Sequence, residues 1–380
     1  MSRKQLQFLG FMLLALMLVL AACGDDDKKD EATPETTVNP DWRLGLITNV
    51  GGTISDGGFS ESAHLGATRA VEEFKLDYAY SQSIDENDYE IQLDKHIAEG
   101  RNILITVGFN MEEITYQYAV AHPDVVFIGV DQGYSDKEDI PENLIGLQFA
   151  EDEAAFMVGT LAGLMTESNT VAVIGGMEIP PVVRLAEGFR NGVNYVNPDA
   201  EVLIEYTGVF DDQEKGTATA QEFMEQGADV IFGAAGFTGY AGIQYAAREG
   251  VWVIGVDQDE WRTNFRAGEQ EGSERILTSA IKRVDSGVYQ AVASIVTGNR
   301  RSGIFLLDTA SCGVGYAPFH EAEASIPEEG AQMLEAVWRA LAAGTLDTGI
   351  GEDATRPDSL SPGERPDVPD DAPQPGACEG

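Results

Sequence analysis

The chain has 380 residues, enough for two domains, and its 43% hydrophobic and 23% charged residues are those of a globular protein. With 64 Asp and Glu against 24 Lys and Arg, the net charge of −40 at pH 7 argues against a nucleic-acid binder and against docking on anionic lipid through a basic patch. Three cysteines supply neither a disulfide framework nor a multi-cysteine metal cluster.

The N-terminus reads as a targeting segment. Arg3 and Lys4 precede an apolar run over 8–20, and the small-residue site Leu20-Ala21-Ala22-Cys23 follows. That is the layout of a secretory signal peptide, here 1–22. The run is too short, and too abruptly followed by acid, to span a bilayer comfortably as a helix. Leu-Ala-Ala-Cys resembles the bacterial lipobox, which implies cleavage before Cys23 and lipid on its thiol. Each buried acyl CH₂ would contribute about 0.8 kcal/mol to membrane anchoring. Residues 23–41 are polar with two prolines and read as a flexible tether. The mature protein is expected on the outer face of the cytoplasmic membrane, in a periplasm or at the cell surface.

From Trp42 an α/β rhythm begins. WRLGLITNV is a strand candidate, and FSESAHLGATRAVEEF puts Phe59, Ala63, Ala67, Ala70, Val71 and Phe74 on one helical face. NILITVG is a short buried strand, MEEITYQYAVAHP a helix ended by Pro123, and DVVFIGVD a strand. The pattern then repeats: helix EDEAAFMVGTLAGLMT, strand TVAVIGG, helix VVRLAEGFRNGVNYV, strand AEVLIEYTG, helix QEKGTATAQEFMEQG, strand ADVIFGAAG, helix GYAGIQYAAREG and strand VWVIGVDQ. Near-continuous apolar strands between amphipathic helices indicate parallel sheets covered on both faces. The pentapeptide IGVDQ occurs at 128–132 and again at 254–258, each time at a strand end. Ligands bind outside the carboxyl ends of open parallel sheets. Asp131 and Asp257 are therefore expected beside a cleft between two lobes. Further on, AIKRVDSGVYQAVASIVTG reads as a helix, SGIFLLD as a strand and EEGAQMLEAVWRALAAGTL as a helix; 351–380, rich in Pro and Asp, is predicted to be a disordered tail.

Local catalytic patterns are missing. No Gly-Lys occurs, so there is no Walker A loop, and there is no G-x-S-x-G or H-E-x-x-H. His64, His96, His122 and His320 lack ligand-spaced partners. No metal, cofactor or catalytic residue is expected. The glycine-rich loop GGTISDGGFSES joins the first strand to the first helix and permits close backbone approach. A helix N-terminus favours an anion, but Asp56 and Glu61 would repel a phosphate. A neutral ligand rich in N–H and O–H donors fits better, because ionised carboxylates only accept. Asp56 reads equally as a helix cap. Phe59, Phe109, Phe237 and Trp261 stand at strand-to-helix corners, as stacking platforms for a flat ring or as core residues. Rings and carboxylates together suit a nucleoside or a sugar, with each base–aromatic stack contributing on the order of 1–3 kcal/mol.

The stretches GGTISDGGFSES, ITVGF, HPDVVFIGVD, VAVIGGMEIPPVVRLAEGFRNGVNYVNPD, GADVIFGAAGFTG, GVWVIGVDQDEW, ILTSAIKRVDSGVY and GVGYAPF, in this order, resemble the basic membrane protein family of ABC-transporter substrate-binding lipoproteins, the purine-nucleoside receptors among them. The resemblance covers about 44–346. It implies a type I periplasmic-binding-protein fold with lobe 1 over 42–148 and 281–350 and lobe 2 over 149–280, crossing near Phe149 and again near Ser279. It implies a monomer that delivers a nucleoside-like ligand to a permease and ATPase. Carried over, Asp56 accepts from the base, Phe59 and Phe237 stack, Gly236 keeps the backbone close, Asp257 accepts from ribose hydroxyls and Lys282 reaches the cleft from the hinge. Phe109 lies in the first lobe's Gly-Phe turn. The first loop departs from the family: Asp56-Gly57-Gly58-Phe59-Ser60-Glu61 stands where Asp-Lys-Ser-Phe-Asn-Gln is usual. Ser60 can still donate and accept, but a lysine and two amides are lost, which bears on purine selectivity. Cys312 and Cys378 either pair or remain thiols. A sensor feeding a membrane kinase, and a nucleoside hydrolase, are the alternative functions.

Overall fold

The computed structural model describes residues 41–351, 356–361, 363–369 and 371–375. The signal peptide, Cys23 and the tether up to residue 40 lie outside them. No described helix is long and apolar enough to cross a membrane.

Two six-stranded sheets form the body. The first contains β1 (Arg43–Thr48), β2 (Asp77–Gln82), β3 (Ile103–Val107), β4 (Val126–Val130), β5 (Leu144–Phe149) and β11 (Gly303–Leu307), in the order β11-β5-β4-β3-β1-β2. The second contains β6 (Thr170–Gly175), β7 (Glu201–Tyr206), β8 (Val230–Ala234), β9 (Trp252–Asp257), β10 (Ile276–Lys282) and β12 (Val314–Tyr316), in the order β12-β10-β9-β8-β6-β7. All pairings are parallel except β10 with β12. Each strand of one sheet thus has a counterpart in the other, and β4 corresponds to β9. The central strands β3, β4 and β8 are buried at every position, so their runs are apolar rather than alternating.

Nine helices among the described residues flank the sheets: α1 (Phe59–Phe74), α2 (Asp88–Ala98), α3 (Glu112–Ala121), α4 (Glu151–Met165), α5 (Pro180–Val196), α6 (Gln213–Glu225), α7 (Gly236–Arg248), α8 (Val284–Val296) and α9 (Glu328–Ala342). The α4–α5 pair packs through glycine. A Cβ on Gly159 would lie 2.2 Å from the Phe189 carbonyl oxygen, and one on Gly192 would lie 2.1 Å from that of Phe156. The reciprocal contact leaves no room for a methyl, because both neighbours are backbone. Gly192→Ala is expected to destabilise the protein by roughly 1–3 kcal/mol through overpacking; a denaturant titration would measure it, and an unchanged midpoint would refute the contact.

Several elements differ from the sequence reading. Strand β2 and helix α2 have no counterpart in the sequence pattern above; β2 is an edge strand with mostly exposed or part-exposed residues and no apolar run. Strand β5 is likewise absent from that pattern. Residues 280–282 belong to strand β10, and the helix read there begins only at Val284. The chain passes between the sheets three times: after β5, after β10, and again between β11 and β12. Residues 281–350 are therefore shared between lobes. Strand β12 pairs with β10 in the second lobe, and α9 packs on α4. A three-residue strand carries no periodicity to announce that return.

The described tail residues are bound rather than free. Leu360 N–H donates to Tyr195 O at 2.7 Å and Ser359 Oγ to Asn194 O at 2.8 Å. Thr345 Oγ1 donates to Asp367 O, and Ala372 is buried. Composition predicts disorder because the tail has little apolar surface; hydrogen bonds to carbonyls of α5 and from Thr345, just past α9, supply contacts instead. Cys312 is disulfide-bonded, while Cys23 and Cys378 lie outside the described residues.

The acidic excess adds a further expectation. Self-repulsion at a net charge of −40 is screened as the Debye length shrinks from about 10 Å at roughly 0.1 M salt to about 3 Å at roughly 1 M. The melting temperature should rise over that range of KCl; a flat or falling trend would show that the charge is locally compensated.

Candidate functional site: the interlobe cleft

A cavity opens between the carboxyl ends of the two sheets. All nine sequence-derived candidates line it: Asp56, Phe59, Ser60, Phe109 and Asp131 before the first crossing, and Gly236, Phe237, Asp257 and Lys282 after it. Trp261 does not. It stacks on His320 with ring centroids 4.0 Å apart, outside the cavity.

The first loop is built around Asp56. Its Oδ1 accepts from Gly58 N–H at 2.9 Å and Glu61 N–H at 3.1 Å, and its Oδ2 accepts from Ser60 N–H at 3.2 Å. Glu61 Oε2 in turn accepts from Gly57 N–H at 2.7 Å. The bonds from Ser60 and Glu61 satisfy two of the free donors of the first turn of α1. Asp56 is thus a helix cap whose carboxylate also forms part of the cavity wall; burial raises its pKa, against the pull of those backbone donors. Ser60 Oγ, by contrast, is buried and has no hydrogen-bond partner among the described residues.

The repeated pentapeptide produces one local geometry twice. Asp131 follows β4 at φ 61° and Asp257 ends β9 at φ 65°. Both occupy the left-handed region, uncommon for a residue other than glycine but several-fold enriched for Asp. The turn lifts each carboxylate off its strand end into the cleft. Their fates then diverge. Asp131 Oδ2 pairs with Lys282 Nζ at 2.6 Å, and its Oδ1 is buried without a hydrogen-bond partner among the described residues. Lys282 Nζ also lies 2.9 Å from Glu151 Oε1, while Glu151 Oε2 accepts from Arg184 Nε at 2.7 Å. Burial works against the lysine charge, but Asp131, Glu151 and Asp257 outweigh it and hold the Lys282 pKa above its ordinary value. The ammonium sits 4.7 Å from the centroid of Phe59 and fixes one face of that ring.

Asp257 has no hydrogen-bond donor among the described residues. Burial pushes its pKa up to about 7, with Lys282 opposing and Asp131, Asp56 and Glu151 adding to the rise. Glu260 behaves similarly: burial raises it to about 7 although Val256 N–H and Asn264 Nδ2 donate to it.

Further wall residues escaped the sequence reading. Phe210 follows half-exposed β7, Glu260 and Asn264 follow β9, and Ile179, Pro181, Val182 and Leu185 form an apolar face at the start of α5. The strand-end rule that located Asp257 applies equally to the loop after β7 and would have found Phe210. Lys282 is the only cationic side chain lining the cavity among the described residues, and it is already paired with two carboxylates. The site therefore presents apolar rings and hydrogen-bond acceptors, and it repels anions. No described group of His, Cys, Asp and Glu forms a metal site.

A family model described as ABC transporter substrate-binding protein PnrA-like, Bmp, matches residues 45–329. The chain belongs to this family. It is a solute-binding protein of an ABC transporter, of a family that is generally non-enzymatic. Among its relatives, the CD4+ T-cell-stimulating antigen of Listeria innocua is 31% identical, over 77% of this chain and 84% of that one. The ABC transporter nucleoside-binding protein BmpA of Lactococcus lactis is 29% identical, over 79% of this chain and 90% of that one. A crystal structure of an ABC transporter solute-binding protein from Aeropyrum pernix superimposes with a TM-score of 0.69 at 27% identity, covering 80% of this chain and 92% of that one. More distant solved structures, among them sugar-binding proteins and LacI-type regulators, share the fold alone: two parallel sheets flanked by helices, the type I periplasmic-binding-protein architecture.

Proposed function

We propose that this Bmp-family protein binds a neutral nucleoside, with a purine as the first choice, in the interlobe cleft and presents it to a membrane permease and its ATPase. The observation that carries the reading is that one cavity is lined by aromatic rings from both lobes and by a carboxylate, Asp257, with no donor among the described residues. In this reading the base lies between Phe59 and Phe237, and ribose hydroxyls donate to Asp257. Ser60 Oγ and Asp131 Oδ1, on residues lining the cleft, are further polar atoms without hydrogen-bond partners among the described residues. The relative named as a nucleoside-binding protein supports the same ligand class. Anchoring at the outer face of the cytoplasmic membrane through lipid on Cys23, as a monomer, completes the proposal.

Thermal shifts with nucleosides, free bases, riboflavin and sugars test it. A ligand at a hundred times its Kd stabilises the folded state by about 2.7 kcal/mol. A shift with purine nucleosides is expected; a shift with sugars alone would remove the stacking role.

A further inference from the structure

The segment that follows Asp257 binds the first lobe directly. Gln258 Nε2 donates to Gly58 O at 2.9 Å, and Thr263 Oγ1 donates to Gly57 O at 2.9 Å. Both acceptors lie in the first-lobe loop that places Asp56 and Phe59. Gly57 stands at φ 68°, and a Cβ there would lie 2.2 Å from Asn264 Oδ1, so the loop is seated tightly on the second lobe.

Neither end of this contact is loose. On the first lobe, Gly57 N–H is held by Glu61, and Gly58 N–H by Asp56. On the second, Glu260 ties the 258–264 segment down: its Oε1 accepts from Val256 N–H at 3.0 Å, its Oε2 from Asn264 at 3.1 Å, and its own N–H donates to Ser279 Oγ at 3.1 Å. Glu260 is a positioning residue whose two oxygens are already engaged within the second lobe.

We propose that Gln258 and Thr263 form a latch that sets the closure equilibrium of the lobes independently of what the cleft holds. Opening the cleft breaks both bonds whether or not a ligand is bound. A ligand's apparent affinity scales with the fraction of protein in the binding-competent state. The latch therefore multiplies the affinity for every ligand by one factor and leaves their ranking to the rings and carboxylates. The inference rests on solute binding by the cleft, not on the solute being a nucleoside.

The test is the Gln258→Ala/Thr263→Val double variant of the full chain, with Thr263→Ser as the variant that keeps the donor. Small-angle scattering of unliganded protein comes first, since it needs no ligand; the double variant is expected to have the larger radius of gyration. For each compound that shifts the melting temperature of the wild type, dissociation by stopped flow should then be faster by a common factor of about ten, the size expected for two neutral hydrogen bonds. Thr263→Ser should behave as wild type. A changed ligand ranking would make these residues ligand contacts, and unchanged scattering with unchanged dissociation would overturn the latch. If the double variant melts early, Gln258→Glu, which removes the donor with little change of shape, repeats the comparison. If no nucleoside binds, the scattering result still decides the latch.

Discussion

The Asp257→Ala protein is expected to bind nucleoside at least about a hundred-fold more weakly than wild type, since each hydrogen bond to a charged group contributes about 1.5–3 kcal/mol and two ribose hydroxyls would lose their acceptor. Unliganded stability should hold or rise. The carboxylate is buried beside Asp131, Asp56 and Glu151, and no described donor supports it. A structural role would give the opposite pair of results, an early melt with affinity retained. The pH dependence follows from the same burial. With its pKa raised to about 7, Asp257 is ionised only above that pH. Nucleoside affinity should therefore climb as pH rises through about 7. The unliganded folded state holds this proton between about pH 4 and 7 while the unfolded chain does not. The residue's contribution to stability is thus present below that window and lost as pH rises through it. Asp257→Asn should make that part of the stability curve less steep, leaving the slope that Glu260, also raised to about 7, contributes; calorimetric melts from pH 5 to pH 8 would show it.

The second large effect concerns Lys282. Asp131, Glu151 and Lys282 are 7%, 1% and 5% exposed, and the ammonium bridges both carboxylates. Lys282→Met leaves two buried anions with only Arg184 to compensate one of them. Breaking a buried ion pair from one side costs about 3–5 kcal/mol, because the remaining charge is stranded. Chemical denaturation should show a loss of that size. Adding Asp131→Asn to Lys282→Met should recover much of it, since the stranded charge is then gone. A Lys282→Met protein as stable as wild type would mean that the carboxylates had shed their charge by taking protons. The network also spans the first two crossings between lobes, with Glu151 just past β5 and Lys282 at the end of β10. Its loss should therefore loosen the hinge as well as the fold.

The sequence disclosed most where physics left one choice. Strands β3, β4 and β8 are buried on both faces, so their apolar runs were readable. The two IGVDQ segments marked equivalent strand ends, and both aspartates take the same left-handed turn. Edge strand β2, exposed on much of its length, carried no such constraint. Glu260 resembled any solvated acid until its neighbours were known, and Phe210 sat in a loop with no periodicity. The dual use of Asp56 was also hidden: cap and wall were alternatives in the sequence, whereas in the fold one carboxylate meets both descriptions. The tail shows the limit of composition, which measures apolar surface and not backbone hydrogen bonds.

The central claim is that the cleft takes a neutral, donor-rich flat ligand and refuses an anion. Isothermal titration of guanosine and of guanosine 5′-monophosphate into the same protein at pH 8 tests it most directly. The account predicts saturable binding of the nucleoside and none of the monophosphate, because Asp56, Asp131, Asp257 and Glu260 line the cleft and its one described lysine is already paired with Asp131 and Glu151. Equal or tighter binding of the monophosphate would contradict it.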